Sequence, residues 1–548
     1  MRNRFYRIGL VVVVLGLMLT GLVVPAVRES QTQDEAVYVV AGLSYWRTGD
    51  FRLNPEHPPL LKQLMSLPLL AQGATFDPVA PDWAGASQWD IAPKVLYQNV
   101  RPGADLLLSA RLVNVWLTLA LVIVAAWLAW RTFGPSAAGL TLVLLAIEPS
   151  VLANGHLATT DVGYTLALLG SLFSFGWWME RPSGRRAWLA AGCFSLALLT
   201  RFNALLLVGL LPMLYVTVML GRRGHWRSPA ATLWRTAGIF AITAVVMTWL
   251  AYGFEVRPLN EAQDEPARRV LSSTPAISAW LERTPLPSMS YISGLLFQVD
   301  HNRAGQWGYL FGAESHNGWW YYFVAALAVK LTIGFVLLAV IGMVAAIRKN
   351  ESGPGAPVFS VWYLAVAIGV LLISSFPSQL PLGVRYVLPA IVLSGVVAGA
   401  AVHLTRRHRW VGAIVGLLAV GHIVSVARYF PHWLPYANEA FGGAAALDHH
   451  LIDSNLDWGQ DMPLVRDYLQ QHGITDYTFR AFSTAPAQAY GLLERDIPTD
   501  AEVKVQPFHG VIVIGKSVLH YPTSQYEWLK RLTPTDVLGH SMNVYDLR

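Results

Sequence analysis

Residues 8 to 27, IGLVVVVLGLMLTGLVVPAV, form an almost unbroken apolar run. No other feature constrains the chain as strongly, because a helix rising ~1.5 Å per residue needs about 20 such residues to cross ~30 Å of hydrocarbon. Ten further candidates lie at 110 to 130, 135 to 152, 158 to 179, 187 to 202, 203 to 221, 237 to 253, 319 to 346, 358 to 376, 384 to 404 and 410 to 428, which makes eleven. Composition agrees: 54% of the 548 residues are hydrophobic and 14% charged, against ~25% charged in soluble proteins. A soluble enzyme and a disordered chain are both excluded. The expected fold is an α-helical polytopic membrane protein. The first run is kept as a span because it exceeds the ~7 to 15 residues of a signal-peptide core.

Cytoplasmic loops of such proteins hold the Lys and Arg. With the N-terminus inside, the cytoplasmic segments carry Arg2, Arg4 and Arg7; Arg131; Arg181, Arg185 and Arg186; Arg222, Arg223, Arg227 and Arg235; Arg348 and Lys349; and Arg406, Arg407 and Arg409. The net charge of +6 is thus sorted by membrane side and forms no single patch for nucleic acid. The same alternation sends two long loops, 28 to 109 and 254 to 318, to the outer face, together with residues 429 to 548. The division expected is a transmembrane catalytic part, 1 to 428, and a small extracytoplasmic α/β domain, 429 to 548. Within that domain Val511 to Ile514 reads as a strand and Pro463 to Gln471 as a helix. The single cysteine, Cys193, allows no internal disulfide.

The chemistry is expected in the outer loops. Asp34-Glu35 follows the first span directly, and carboxylates beside a bilayer are costly enough to suggest a role. The plain alternative is an acidic helix start running through Tyr45. Residues 54 to 70, NPEHPPLLKQLMSLPLL, read as an interfacial helix that would hold Glu56, His57 and Lys62 at the height of a lipid phosphate. Asp161 follows Thr159 and Thr160 at a span start, where N-capping competes with a site. Glu148, before Pro149, is a similar case.

These residues carry a resemblance. The Asp-Glu pair after the first span, followed by His57-Pro58-Pro59-Leu60 and Lys62, resembles the protein O-mannosyltransferase and aminoarabinose-transferase group of GT-C glycosyltransferases, glycosyltransferase family 39. Asn154 to Asp161 (NGHLATTD), Gly318 to Phe323 (GWWYYF) leading to Lys330, Leu382 to Pro389 (LGVRYVLP) and Asp453 to Asp461 (DSNLDWGQD) resemble further stretches of it. The sequence departs from the eukaryotic members in having no sugar-binding repeat domain in an outer loop.

The resemblance implies a membrane glycosyltransferase that moves a sugar from a polyprenyl-phosphate donor to an acceptor hydroxyl on the outer face, with inversion. The acceptor, a protein, lipid or glycan, stays open, and a bacterial inner membrane is the implied location. Asp34 is then the expected general base, with Glu35 or Asp161 as helper. Lys62, Arg201, Lys330 and Arg385 are the expected phosphate-binding cations. Lys330 lies several residues inside a span, which is costly unless it snorkels or meets an anion. Arg201 sits at a short joint that would tolerate any polar residue. Glu56, His57, His156 and His301 are the expected walls of the donor and acceptor pocket. With His316 they could also bring a divalent metal to the phosphate, although no pair has the i, i+4 spacing of a helical metal site. Asp453, Asn455, Asp457 and Asp461 mimic part of a calcium loop, but Leu464 stands where its bidentate Glu belongs, so turn chemistry is expected there.

Two other functions compete. A lipid flippase would place its acids near mid-membrane and show paired halves. A binding scaffold would leave the Asp-Glu pair and Lys330 without a purpose.

Overall fold

The computed structural model describes residues 2–79, 83, 85, 87–222, 230–349, 353, 356–405, 409–521 and 524–548. Arg223, Arg227, Arg406 and Arg407, counted above by membrane side, lie outside the described residues, as do the side chains of Arg2, Arg4 and Arg7.

Each of the eleven apolar segments contains a helix. Among the described residues seven are long and apolar enough to cross a bilayer: Ile8–Arg28, Gly103–Phe133, Asp161–Glu180, Phe202–Gly221, Ala230–Ala251, Val384–Thr405 and Arg409–Ala427. Two bent pairs, Pro135–Ala146 with Pro149–Gly155 (60°) and Tyr322–Lys330 with Ile333–Lys349 (110°), raise the number to nine. Both breaks have a local cause. Pro149 cannot continue a helix from the preceding turn, and Glu148 restarts it by accepting the Val151 amide at 2.9 Å. Thr332 does the same for Phe335 at 3.0 Å. The remaining two, Gly184–Leu198 and Val361–Ile373, have 15 and 13 residues, about 20 Å of helix each. The expectation of eleven spans therefore exceeds what length and apolarity support.

The connections gather at two ends of the bundle. At one end Leu60 donates to the Leu199 carbonyl, Gln306 to Gln379, Phe311 to His450, and Ser30 to Gln460. The two long loops, the 199 to 201 joint, the 374 to 384 loop and the C-terminal region thus share one end. At the other, Arg131 pairs with Glu180 at 2.8 Å and Arg222 Nε donates to the Ala356 carbonyl at 2.8 Å.

The C-terminal region folds around a four-stranded sheet in the order Tyr477–Arg480, Val511–Gly515, Met542–Asp546, Asp536–Leu538, with the first pair parallel and the others antiparallel. The VIVIG strand is buried throughout. Its period of two sends Val511 and Val513 towards Val465 and Leu469 of the helix Met462–Gln471, and Ile512 and Ile514 towards Leu519 and Leu529 on the other side. The expected strand and helix are both present. This unit is laced to the bundle through residues 453 to 461, which bond the chain just before Asp34 and just before Arg385.

Candidate active site

Asp34 occupies the N-cap position of the helix Glu35–Thr48, yet its side chain makes no capping bond. Its Oδ2 instead accepts from the Tyr38 hydroxyl at 3.2 Å and from Arg385 Nη1 at 3.0 Å. Tyr38 reaches it because residues four apart share a helix face. Oδ1 takes no hydrogen bond from the described residues. Arg385 arrives from the short turn Val384–Val387, entered through Gly383 at φ 85°. A side chain at 383 would meet Ser454 Oγ as well as the left-handed backbone. Arg385 Nε donates to the Leu382 carbonyl at 3.1 Å, and its guanidinium lies 4.2 Å over the Trp458 ring.

A second ion pair stands behind the first. Thr160 makes no side-chain cap, and the buried hydroxyls of Thr159 and Thr160 have no partner among the described residues, so capping does not account for this cluster. Asp161 pairs with Arg201, whose guanidinium lies 4.4 Å over the Tyr386 ring, while that of Arg385 lies 5.7 Å from the same ring. His57 packs beside Tyr38 with ring centroids 5.6 Å apart. Burial first, and then the charges of Arg201, Lys62 and Arg385, hold its imidazole well below the usual range, so it is neutral.

Asp34, Tyr38, Glu56, His57, Trp89, His301 and Arg385 line one cavity of about 120 Å³. Glu56 is held there by Asn54 Nδ2 and Gln88 Nε2, each at 2.7 Å. A larger cavity of about 490 Å³ adjoins it, since Gln298 and Tyr386 line both. Its walls include Leu206 and Leu371 from apolar helices, and Asn203, Asn302, Arg303, Ser374 and Ser378 at its polar end. Arg303 is exposed in the last turn of the helix Met289–Ala304 and forms no ion pair among the described residues. Sequence reasoning passed it over because a loop arginine needs no explanation. The signal available was its spacing from Gln298, Val299 and Asn302, which puts all four on one helical face.

Other expected site residues are turned elsewhere. Glu35 is fully buried and saturated: Arg111 Nε and Nη2 donate at 2.8 and 2.6 Å, and Thr32 and Ala158 amides at 2.9 and 2.7 Å. Burial alone would raise its carboxyl, but Arg111 and these bonds hold it below the usual range. It holds Arg111 of Gly103–Phe133, which in turn donates to the Ala26 and Glu29 carbonyls at the end of the first span. Lys62 Nζ donates to the Tyr45 hydroxyl at 2.7 Å and to the Asn54 and His57 carbonyls at 2.6 Å. It shapes the loop that presents Glu56 and His57. Lys330 does not snorkel. Its Nζ donates to the Leu434 and Asn455 carbonyls, both at 2.6 Å. His156 bonds the Leu152 carbonyl and Glu29, each at 2.8 Å. His316 packs on Trp307, and Glu148 is a cap.

Among the described residues no three His, Cys, Asp or Glu side chains converge as a divalent ion would need. Glu56, the carboxylate beside His57, is already taken by amide donors. The residues do not fit a metal, and no step below uses one. The stretch from Asp453 to Asp461 acts as turn chemistry: Asp457 accepts the Gly459 and Ser517 amides at 3.1 and 3.0 Å.

Residues 10–258 match the family model for dolichyl-phosphate-mannose-protein mannosyltransferase. The fold matches the apo structure of ArnT from Cupriavidus metallidurans at TM-score 0.50 and 14% identity, over 98% of each chain. The family model covers less than half of the 548 residues, and the structural match shows a GT-C-like fold. The fold also matches AglB from Archaeoglobus fulgidus, an archaeal oligosaccharyltransferase in complex with an inhibitory peptide and a dolichol-phosphate, at TM-score 0.51 and 12% identity, over 94% of this chain and 70% of that one. No curated protein matches the chain in sequence. The family match contains Asp34, Asp161 and Arg201 and ends before Arg303 and Arg385, so the site unites residues inside and outside it.

Proposed function

We propose that the protein transfers a sugar from a polyprenyl-phosphate carrier to an acceptor hydroxyl on the extracytoplasmic face, by a single inverting displacement with Asp34 as general base. The observation that carries this reading is the Asp34–Arg385 pair in a polar cavity that adjoins a larger, helix-walled one. A donor with a lipid tail and a phosphate head needs that combination: apolar walls for the first isoprene units and cations at the polar end. The family description, which names a dolichyl-phosphate sugar, supports the donor class. The orientation rests on the arginines and Lys349 of the connections opposite the site.

In this mechanism Tyr38 and Arg385 fix Oδ2, which leaves Oδ1 to take the proton of the acceptor hydroxyl. The acceptor oxygen bonds to the anomeric carbon as the bond from that carbon to the phosphate oxygen breaks, and the electron pair leaves on the phosphate. Attack from the face opposite the leaving group inverts the centre. Arg385 Nη2, which has no partner among the described residues, and Arg303 neutralise the departing phosphate, while Arg201 adds its field from behind Tyr386. A neutral His57 adds no competing charge and offers a ring nitrogen to a sugar hydroxyl. Asp34 then returns its proton to water.

The test is Asp34→Asn in membranes supplied with a labelled lipid-linked sugar. Transfer is expected to fall about 10²- to 10⁴-fold with normal insertion, the contribution of a positioned base. Transfer at the wild-type rate would remove Asp34 from the reaction.

A further inference from the structure

Two chain positions decide the geometry of the site, Gln33 just before the base and Val384 just before the arginine, and both are bonded by one segment of the C-terminal region. The Gln33 amide donates to the Trp458 carbonyl at 3.0 Å, and the Val384 amide donates to Asn455 Oδ1 at 3.1 Å. Ser454 Oγ adds a bond to the Leu382 carbonyl at 2.9 Å. Trp458 does more than brace the backbone. Its indole, 1% exposed, lies 4.2 Å beneath the Arg385 guanidinium. A cation over an indole face away from water is held electrostatically, and here two in-plane bonds, to Leu382 and Asp34, fix its rotation as well. The result is a guanidinium with one edge committed to the base and Nη2 left for the substrate.

We propose that Trp458 is a positioning residue for sugar transfer, setting Arg385 against both Asp34 and the donor phosphate. The assignment rests on the reading of Asp34 and Arg385 given above. It makes the C-terminal unit part of the active site's construction. It also explains why a buried lysine in a span break, Lys330, is spent on the Asn455 carbonyl: that bond anchors the same segment to the bundle. Trp458 itself touches no reacting atom and acts through Arg385.

The experiment is a double-mutant cycle on the full-length chain in lipid nanodiscs, with dolichyl monophosphate as the probe. Trp458→Leu removes the ring face and is expected to weaken binding roughly 10- to 30-fold, the worth of a desolvated cation–π contact. Trp458→Phe keeps an aromatic face at the same position, though a smaller one, and is expected to restore affinity to within about 3-fold of wild type, which a folding defect would not allow. Arg385→Gln weakens binding on its own, and adding Trp458→Leu to it is expected to cost less than about 3-fold more, since the two act as one unit. Additive losses, or wild-type binding by Trp458→Leu, overturn the assignment of Trp458 alone. Wild-type binding by Arg385→Gln overturns the phosphate site itself, and Trp458 falls with it.

Discussion

Asp34 and Glu35 are adjacent carboxylates with opposite work under the proposed mechanism, so neutralising each in turn should produce opposite failures. In Glu35→Gln the fold loses the anion that faces Arg111, which is 1% exposed and also donates to the Ala26, Glu29 and Ser30 carbonyls. Those carbonyls still solvate the guanidinium, but no charge remains to balance it, and breaking a buried pair from one side costs about 3 to 5 kcal/mol. The glutamine amide also brings two donors to a place where the Thr32 and Ala158 amides need acceptors. For a chain of this length a kcal/mol moves the midpoint by roughly 1 °C, so the thermal midpoint should drop by about 3 to 5 °C. Intrinsic fluorescence of the purified protein in nanodiscs, followed through a thermal ramp, reads this directly. Transfer per folded molecule, measured well below the midpoint, should stay within about 3-fold of wild type, because Glu35 faces away from the cavity. Asp34→Asn should do the reverse, losing transfer and moving the midpoint by no more than about 1 °C, since Asp34 is partly exposed to the cavity and asparagine keeps an oxygen for Tyr38 and Arg385. A Glu35→Gln protein that melts like wild type but no longer transfers would refute this division of labour.

Three further outcomes follow from the same geometry. Arg303→Ala should lower kcat/KM for the donor about 10-fold, the worth of one charge-assisted contact, with kcat falling because the charge it meets grows as the phosphate departs, and initial rates against donor concentration would show it. Lys330→Met should leave two buried carbonyls without their donor and lower the thermal midpoint, while dolichyl monophosphate binding by the folded fraction stays near wild type; selective loss of binding would return Lys330 to the phosphate site. Asp457 is buried, and this raises its carboxyl to about 7 despite the amides it accepts. Because the folded value lies above the unfolded one, its stabilising contribution is complete below about pH 4 and is lost as pH rises through 7. Relative to Asp457→Asn, which does not titrate, the wild type should therefore lose about 2.5 kcal/mol between pH 5 and pH 8, measurable as diverging thermal midpoints.

What could be read from the sequence follows from the range of the forces involved. Hydrocarbon acts on every residue of a span, so all the apolar segments are visible as composition, and the VIVIG strand is visible because burial on both faces leaves no polar position. The breaks after Ile147 and Lys330 were harder to see, because each depends on one or two residues, Pro149 and Thr332, in otherwise continuous apolar runs. The same locality decided the caps: Asp34 and Asp161 have the right residue type at a helix start, and only the arrival of Arg385 and Arg201 from hundreds and tens of residues away diverts their oxygens.

The lysines and arginines show the limit most clearly. A cation near an outer helix end has two ways to lower its cost, by binding a substrate anion or by collecting carbonyl oxygens of its own chain, and the sequence signature is the same for both. Lys62 and Lys330 collect carbonyls, three donors on a flexible stem being easily absorbed by backbone at 2.6 Å. Arg111 is absorbed in the same way by three carbonyls and Glu35, but Arg201 and Arg385 are not. Each of these two guanidinium groups is pinned by one carboxylate and one aromatic face and still has an edge to spare, Nη2 in Arg385 and a buried, unpartnered Nε among the described residues in Arg201. That spare capacity, and not charge or position, separates the cations that can meet a phosphate from those that hold the protein together, and it is settled only when the chain folds around them.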